Sequence, residues 1–362
     1  MNNDQPTRIG IIGLGHIGHD HADCLCDSTA TLAGGMDIDS EARAEFANTY
    51  DMPVFEDADA LFDAVDAVIV ATPNRYHEQY AVAALEAGLD VLLEKPLAHS
   101  LASAERIAAT AHEADGFCMV GFKNRFAAPV ELLKQFQQEG RFGELHHIEA
   151  NYIRRRGVPH RTSWFTQRPL AGGGALIDIG VHAIDLALYL LDFPPIVEVT
   201  GTTRSLDETP AAGTDHGSTA TDGGTDTSNV EKSATAFIRC ADGRTISLEV
   251  AWAITRSPDY TFAVQGTHAG ACFDIDKRGL TLYEGDHTDE FPVVDTDITP
   301  EPNDRIAAEQ ATFLRGVESG APPEQNTVEQ ALTVQRISEA IYRSAETGRA
   351  VSLAEGDTAE RS

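Results

Sequence analysis

An apolar stretch near the middle of the chain is interrupted by acid and base at helical spacing. Asp178, His182 and Asp185 lie within Gly172-Gly173-Gly174-Ala175-Leu176-Ile177-Asp178-Ile179-Gly180-Val181-His182-Ala183-Ile184-Asp185, which runs on through Leu186 to Leu191. Positions i, i+4 and i+7 stack along one helix face, about 5–6 Å apart per step, so carboxylate and imidazole can act on one small volume. Leaving a charge buried and unpaired costs several kcal/mol, so the stripe must meet solvent, its own members or a polar ligand. With a ligand this is an active-site helix, and Asp178 and His182 are candidate catalytic residues that also touch the substrate. Asp185, one turn on, is assigned to supporting the helix. A third candidate is Lys95 in Leu92-Leu93-Glu94-Lys95-Pro96, one of only five lysines.

These groups need a scaffold, and the first 120 residues supply one. Strand-like runs at Arg8 to Ile12, Asp66 to Ala71, Asp90 to Glu94 and Phe117 to Val120 alternate with helical patterns at about 16–28, 40–49, 74–88 and 100–115. That alternation predicts right-handed βαβ units and a doubly wound parallel sheet. Lys95 then falls at the carboxyl edge of the sheet, where such folds bind ligands.

Gly13-Leu14-Gly15-His16-Ile17-Gly18 follows the first strand and opens a helix, the context that gives a G-x-G-x-x-G run its meaning. Gly13 permits the tight turn, Gly15 lets backbone approach a pyrophosphate, and Gly18 lets helix pack on strand. The helix N-terminus, including His16 and Ile17, stabilises phosphate charge. Asp37, at the end of the next strand, is placed to accept hydrogen bonds from a ribose. With Asp39 beside it, a 2′-phosphate about 4 Å away would be repelled by about 1–4 kcal/mol, so NAD is expected over NADP. Arg43 argues the other way as a partner for such a phosphate, or it pairs with Asp39 at i, i+4. His16, His19, His21, Cys24 and Cys26 cannot all converge on one ion, and no metal site is expected.

The second half changes character. After a helix near 125–140, extended segments dominate: Glu144 to Arg156, Ile196 to Arg204, Glu231 to Arg239, Arg244 to Trp252, Tyr260 to Gln265 and Ala271 to Ile275. They predict a large, mostly antiparallel sheet, closed by helices at about 303–319 and 326–347. The expected division is 1–123 for the dinucleotide and 124–362 for substrate and oligomerisation, with a solvated loop at 205–229 that contains His216. Substrate selection is assigned to the segment holding Arg154, Arg155, Arg156, His160, Arg161 and Trp164. In a strand Arg154 and Arg156 share one face and Arg155 the other, so only part of the run reaches a pocket, and salt bridges are the alternative use. Trp164 either stacks on a sugar ring or fills the core.

Composition narrows the classes further. The formal charge is −30, from 57 Asp and Glu against 27 Lys and Arg, which disfavours nucleic acid and anionic membrane as partners. Such acidity reads as adaptation to high salt, where screening over about 3 Å at 1 M suppresses self-repulsion. Five scattered cysteines without a C-x-x-C pair suit a reducing cytoplasm. Neither an apolar run of membrane-spanning length nor a leader-like start is found, so membrane insertion and export are not expected.

Over nearly its whole length the chain resembles the Gfo/Idh/MocA oxidoreductases, named for glucose-fructose oxidoreductase, inositol dehydrogenase and a rhizopine-catabolism protein. The resemblance rests on Gly13 to Gly18, Glu94-Lys95-Pro96, and Gly172-Gly173-Gly174 through Asp178 and His182 to Asp185. Ala71-Thr72-Pro73-Asn74 with His77, and Gly121-Phe122 with Asn124-Arg125-Phe126, extend it. It implies a Rossmann domain and an α/β domain whose open sheet forms a homodimer or homotetramer interface. It further implies cofactor contacts from Ala71, Thr72, Pro73, Asn74, His77, Glu94, Lys95 and Asn124. His182 is then the base that takes a hydroxyl proton of a sugar or polyol, Lys95 steadies the alkoxide, and Asp178 orients the substrate or tunes His182. The implied activity is an NAD(P)-dependent sugar or cyclitol dehydrogenase. The alternatives are an NAD-dependent glycosidase working by transient oxidation and elimination, and a non-catalytic sensor, against which Lys95, Asp178 and His182 speak.

Overall fold

Short runs such as Ala67–Val70, in which every residue is fully buried, have no polar face to offer solvent and so must lie inside a sheet covered on both sides. The computed structural model, which describes residues 6–159, 163–205, 230–277, 279–285 and 294–353, places them that way. The first half runs β1 (Arg8–Ile12), α1 (His16–Cys26), β2 (Thr31–Met36), α2 (Ser40–Tyr50), β3 (Val54–Phe55), α3 (Ala58–Phe62), β4 (Ala67–Val70), α4 (His77–Glu86), β5 (Asp90–Glu94), α5 (Leu101–Glu113) and β6 (Cys118–Gly121). All six strands are parallel in the order β3-β2-β1-β4-β5-β6. The strand order reverses between β1 and β4, which opens a crevice at their carboxyl ends.

The second half runs α6 (Ala128–Gln138), β7 (Leu145–Ile153), α7 (Arg168–Ala171), α8 (Val181–Leu190), β8 (Ile196–Arg204), β9 (Ser233–Cys240), β10 (Thr245–Ala251), β11 (Thr261–Gly266), β12 (Ala269–Asp274), β13 (Leu280–Glu284), β14 (Val294–Ile298), α9 (Arg305–Ser319), α10 (Val328–Thr347) and β15 (Val351–Ser352). Among the described residues its nine strands form one sheet, antiparallel except where β10 meets β7. One face is packed by helices; the alternation iBeBeBeB along β9 shows the other face open to solvent.

Three features position the site. The helix carrying Asp178 begins as a π-turn, Leu176–Gly180, in which the Val181 N–H reaches back to the Leu176 carbonyl, before continuing as α8. The segment Arg168–Leu190 is long and apolar enough to cross a membrane by length and composition, but 89% of its most apolar window is buried inside the protein. Lastly, α9 and α10 return to the first sheet: Phe313 and Leu314 share a core with Ile9, Ile11 and Leu92. The chain between them pairs with β6, with Val120 N–H donating to the Asn326 carbonyl at 2.8 Å and a bridge from Met119 to Thr327.

Candidate active site

The glycine-rich turn after β1 has a reason for two of its three glycines within the protein itself. Gly13 has φ +94°, and a Cβ there would lie 2.7 Å from the Ala71 backbone; a Cβ on Gly18 would lie 2.2 Å from the Gly13 carbonyl oxygen. Gly15 is different, since a Cβ there would meet nothing within 4 Å. The space it leaves belongs to a groove of about 640 Å³, a size suited to a bound small molecule. Gly13, Gly15, His16 and Ile17 line one side, Asp37 and Asp39 one end, and Ala71, Thr72 and Pro73 the other side. The open glycine, the N-terminus of α1 and the acid just after β2 together fit a dinucleotide.

Asp37 is held ready: its carboxylate accepts from Leu14 N–H at 2.8 Å and from Asp39 N–H at 2.9 Å. Asp39 caps α2 through the Glu41 N–H. The Arg43 side chain does not pair with the Asp39 carboxylate; it donates to the Asp37 carbonyl at 2.7 Å and lies 3.6 Å from Glu56. Trp164, expected at the substrate, stacks on Phe165 with ring centroids 3.9 Å apart, and both line the dinucleotide groove.

Other positions named from the sequence sit behind the groove. Asn74 is buried and donates to the Ala171 carbonyl at 2.8 Å, tying the first half to the turn before the π-helix. His77 is fully buried between the carbonyls of Thr72 and Pro96, each 2.9 Å from a ring nitrogen, and so links the groove wall to the Lys95-Pro96 turn, whose peptide bond is cis. Burial pushes the His77 pKa down, and the neutral ring donates to one of the two carbonyls. Glu94 accepts from the Lys95 N–H at 3.1 Å and contacts His21 at 3.1 Å. Burial alone would raise its pKa, but His21, Lys123 and Lys95 bring it down to about 2. Asn124 accepts from Arg305 at 3.1 Å, while its buried side-chain nitrogen has no partner among the described residues. Among the described residues no histidine, cysteine or acid cluster could hold a metal ion.

Lys95 and Asp178 meet, though 83 residues apart in sequence. The ammonium donates to the Asp178 carbonyl at 2.8 Å and to its carboxylate at 3.3 Å. π-turns recur at functional sites, and here the turn presents both backbone and side-chain oxygen of one residue to one lysine. The second carboxylate oxygen accepts from the Trp252 indole at 2.8 Å and lies 3.7 Å from Arg154. Trp252 was not read as a site residue; the only signal was that a buried indole N–H requires an acceptor. Of the other residues assigned to substrate selection, Arg155 and Arg156 are exposed, and His160 and Arg161 lie outside the described residues, as does His216 with most of its loop.

His182 is 6% exposed, with its ring edge-on to Phe122 at 6.3 Å and its Nδ1 without a partner among the described residues. Burial first, then Lys95, Lys123, Arg154 and Arg305, drive its pKa well below the ordinary value of 6.5. The imidazole is therefore held in the neutral form, the form a general base requires. Asp185 faces away from this cluster, into a bidentate pair with the buried Arg125 at 2.5 and 3.0 Å. The stripe of three residues thus meets three partners in succession, Lys95, Phe122 and Arg125, and the third contact is structural.

Residues 7–122 match the oxidoreductase family described as having an NAD-binding Rossmann fold, and residues 130–272 match the GFO/IDH/MocA C-terminal domain. The chain is 31% identical to the D-glucoside 3-dehydrogenase of Escherichia coli K12, over 96% of this chain and 98% of that one. It is 29% identical to the levoglucosan dehydrogenase of Pseudarthrobacter phenanthrenivorans, covering 76% and 75%. Among solved structures, GenD2 from gentamicin A biosynthesis in complex with NAD superposes with a TM-score of 0.77 at 28% identity, covering 96% of this chain and 97% of that one. A parallel sheet with an open glycine at its crevice, a lysine at the sheet's edge and an acid–imidazole helix facing it agree with these likenesses: the chain belongs to the Gfo/Idh/MocA family of NAD-binding oxidoreductases.

Proposed function

We propose that this protein is an NAD-dependent dehydrogenase acting on a hydroxyl carbon of a sugar, sugar derivative or cyclitol. The observation that carries the reading is the contact of Lys95 with Asp178 at the carboxyl edge of the sheet that forms the dinucleotide groove, one helical turn before a buried His182 whose pKa Lys95 helps to lower. A nicotinamide dinucleotide bound there supplies the acceptor for the two electrons that leave the substrate carbon. Gly13, Gly15, His16 and Ile17 hold its phosphates, Asp37 its ribose, and Ala71 to Pro73 with Trp164 and Phe165 the opposite side of the groove.

On the substrate side, His182 takes the hydroxyl proton. The Lys95 ammonium lowers the cost of the alkoxide as that proton leaves. Asp178 holds Lys95, and Trp252 holds Asp178, so the ammonium is preorganised rather than free to wander. Arg154, beside Asp178 and partly exposed, contacts the substrate. Residues 1–123 carry the dinucleotide and 124–362 the substrate and the oligomer contact. Asp37 and Asp39 at the ribose end, with Arg43 turned to Glu56, favour NAD over NADP.

The open face of the nine-stranded sheet, where Phe237 is 45% and Tyr283 41% exposed, is the surface for a homodimer or homotetramer. A charge of −30 supports adaptation to high salt, and five free cysteines suit a cytoplasmic setting. The test is NADH formation at high salt across aldoses, inositols and sugar acids, with NADP run beside NAD. The wild type should reduce NAD with at least one class, and Lys95→Ala should lower kcat by about a thousandfold or more while still binding NADH. Full activity in that variant would remove the mechanism.

A further inference from the structure

Glu231, two residues before β9 and 6% exposed, sits where the catalytic helix begins. Its carboxylate accepts from Gly174 N–H at 2.9 and 3.0 Å, from Leu176 N–H at 2.9 Å and from the Tyr342 hydroxyl at 3.0 Å. Its carbonyl accepts from the intervening Ala175 N–H at 3.0 Å. One residue therefore satisfies three successive N–H groups that a helix start leaves unpaired, and puts negative charge at the positive end of the helix. The turn is shaped for it. A Cβ on Gly174 would lie 1.9 Å from the Glu231 carbonyl oxygen, and one on Gly173 would lie 2.0 Å from the Tyr342 hydroxyl. Burial raises the Glu231 pKa, while the hydrogen bonds from Leu176, Gly174 and Tyr342 pull the other way and favour the ionised form.

The reach of this seat extends to the chemistry. The Gly174 carbonyl accepts from Asp178 N–H at 2.9 Å, and Leu176 opens the π-turn. The next residue, Lys232, accepts Trp252 N–H on its carbonyl at 3.0 Å, and Trp252 is the residue that holds the Asp178 carboxylate. The start of the helix and the side chain of its acid are thus referenced to the same two-residue segment.

We propose that Glu231 is a positioning residue, which through Gly174 to Leu176 sets the height and rotation of the helix so that Asp178 and His182 face Lys95. This rests on the function proposed above. The test compares Glu231→Gln and Tyr342→Phe with the wild type in three readouts: kcat, NADH affinity, and the titration of His182 followed by NMR of the protein without nucleotide, assigned with His182→Gln. The glutamine keeps the shape and removes the charge. It should lower kcat by about tenfold or more, because small misplacements of reacting groups are costly, and leave the NADH Kd within about twofold. The His182 titration should move up, as the ring leaves the cations Lys95, Lys123, Arg154 and Arg305 that face it. Tyr342→Phe should show the same pattern at about threefold in kcat.

Glu231→Gln with wild-type kcat and an unmoved His182 titration would overturn the proposal, and so would parallel loss of NADH binding. If Glu231→Gln does not fold, Tyr342→Phe decides, and no change in that variant rejects the idea. A wild type that oxidises no sugar or cyclitol ends the functional reading instead, and the His182 titration still tests the positioning.

Discussion

Two glycine-rich turns each open a helix in this protein, and they use the residue for opposite ends. In the turn after β1, the middle glycine faces empty space, with nothing within 4 Å of where its Cβ would stand. In the turn before α8, every glycine is pressed by the protein: a Cβ on Gly172 would lie 2.1 Å from the His99 carbonyl oxygen, on Gly173 2.0 Å from Tyr342, and on Gly174 1.9 Å from Glu231. The first turn is empty so that something else can enter. The second is already full, and its anion is a side chain of the same chain. A Gly-rich run at a helix N-terminus is thus a binding motif only where the space it leaves is unclaimed.

The largest effect should come from breaking the filled turn. Gly174→Ala sets a methyl against backbone that cannot swing away, and should cost about 3 kcal/mol in urea unfolding, with activity falling alongside. A stable Gly174→Ala protein would show the seat to be looser than described. Gly15→Ala should do the reverse. Gly15 has φ −80°, which alanine tolerates, so stability should stay within about 0.5 kcal/mol while NADH binding weakens about tenfold. Unchanged NADH affinity would remove this turn from the cofactor site.

A smaller effect separates the two helices by charge. Activity on the acid side should fall only as pH drops below the ordinary histidine value, because neutral His182 is the form that accepts a proton. Arg154→Gln removes one of the cations that disfavour imidazolium, so the His182 pKa rises and the acid limb of kcat/KM moves to higher pH. A limb that stays in place would detach Arg154 from the field at His182.

Much of this was legible because it is local. Gly13 to Gly18 announces itself by backbone demands that act over six residues, and Asp178 and His182 by being charged or titratable within an apolar run. Lys95 was legible by its place after a strand. What escaped depends on contacts between distant segments. β2 was expected only as the strand leading to Asp37, since its own Thr-Leu-Ala-Gly-Gly-Met is poor strand composition whose glycines answer to neighbours: a Cβ on Gly35 would lie 2.7 Å from Leu14, and one on Gly34 2.9 Å from Phe55. β14, Val-Asp-Thr-Asp-Ile, carries two aspartates on an edge strand, where strand propensity says little. Trp252, Glu231 and Arg125 act on residues 74, 57 and 60 positions away, and no periodicity encodes a partner at that range. Trp164 showed its size but not the groove it faces.

The return of α9 and α10 to the first sheet bears on how the protein moves. A polypeptide that leaves one sheet, builds another and comes back to lock onto the edge of the first has no single strand of backbone about which its halves could swing. Each crossing restricts how far one half can turn about the other. Heat or denaturant should meet the same return: with Phe313 and Leu314 in the core that holds Ile9 and Ile11, loss of the first sheet's core should loosen α9 as well.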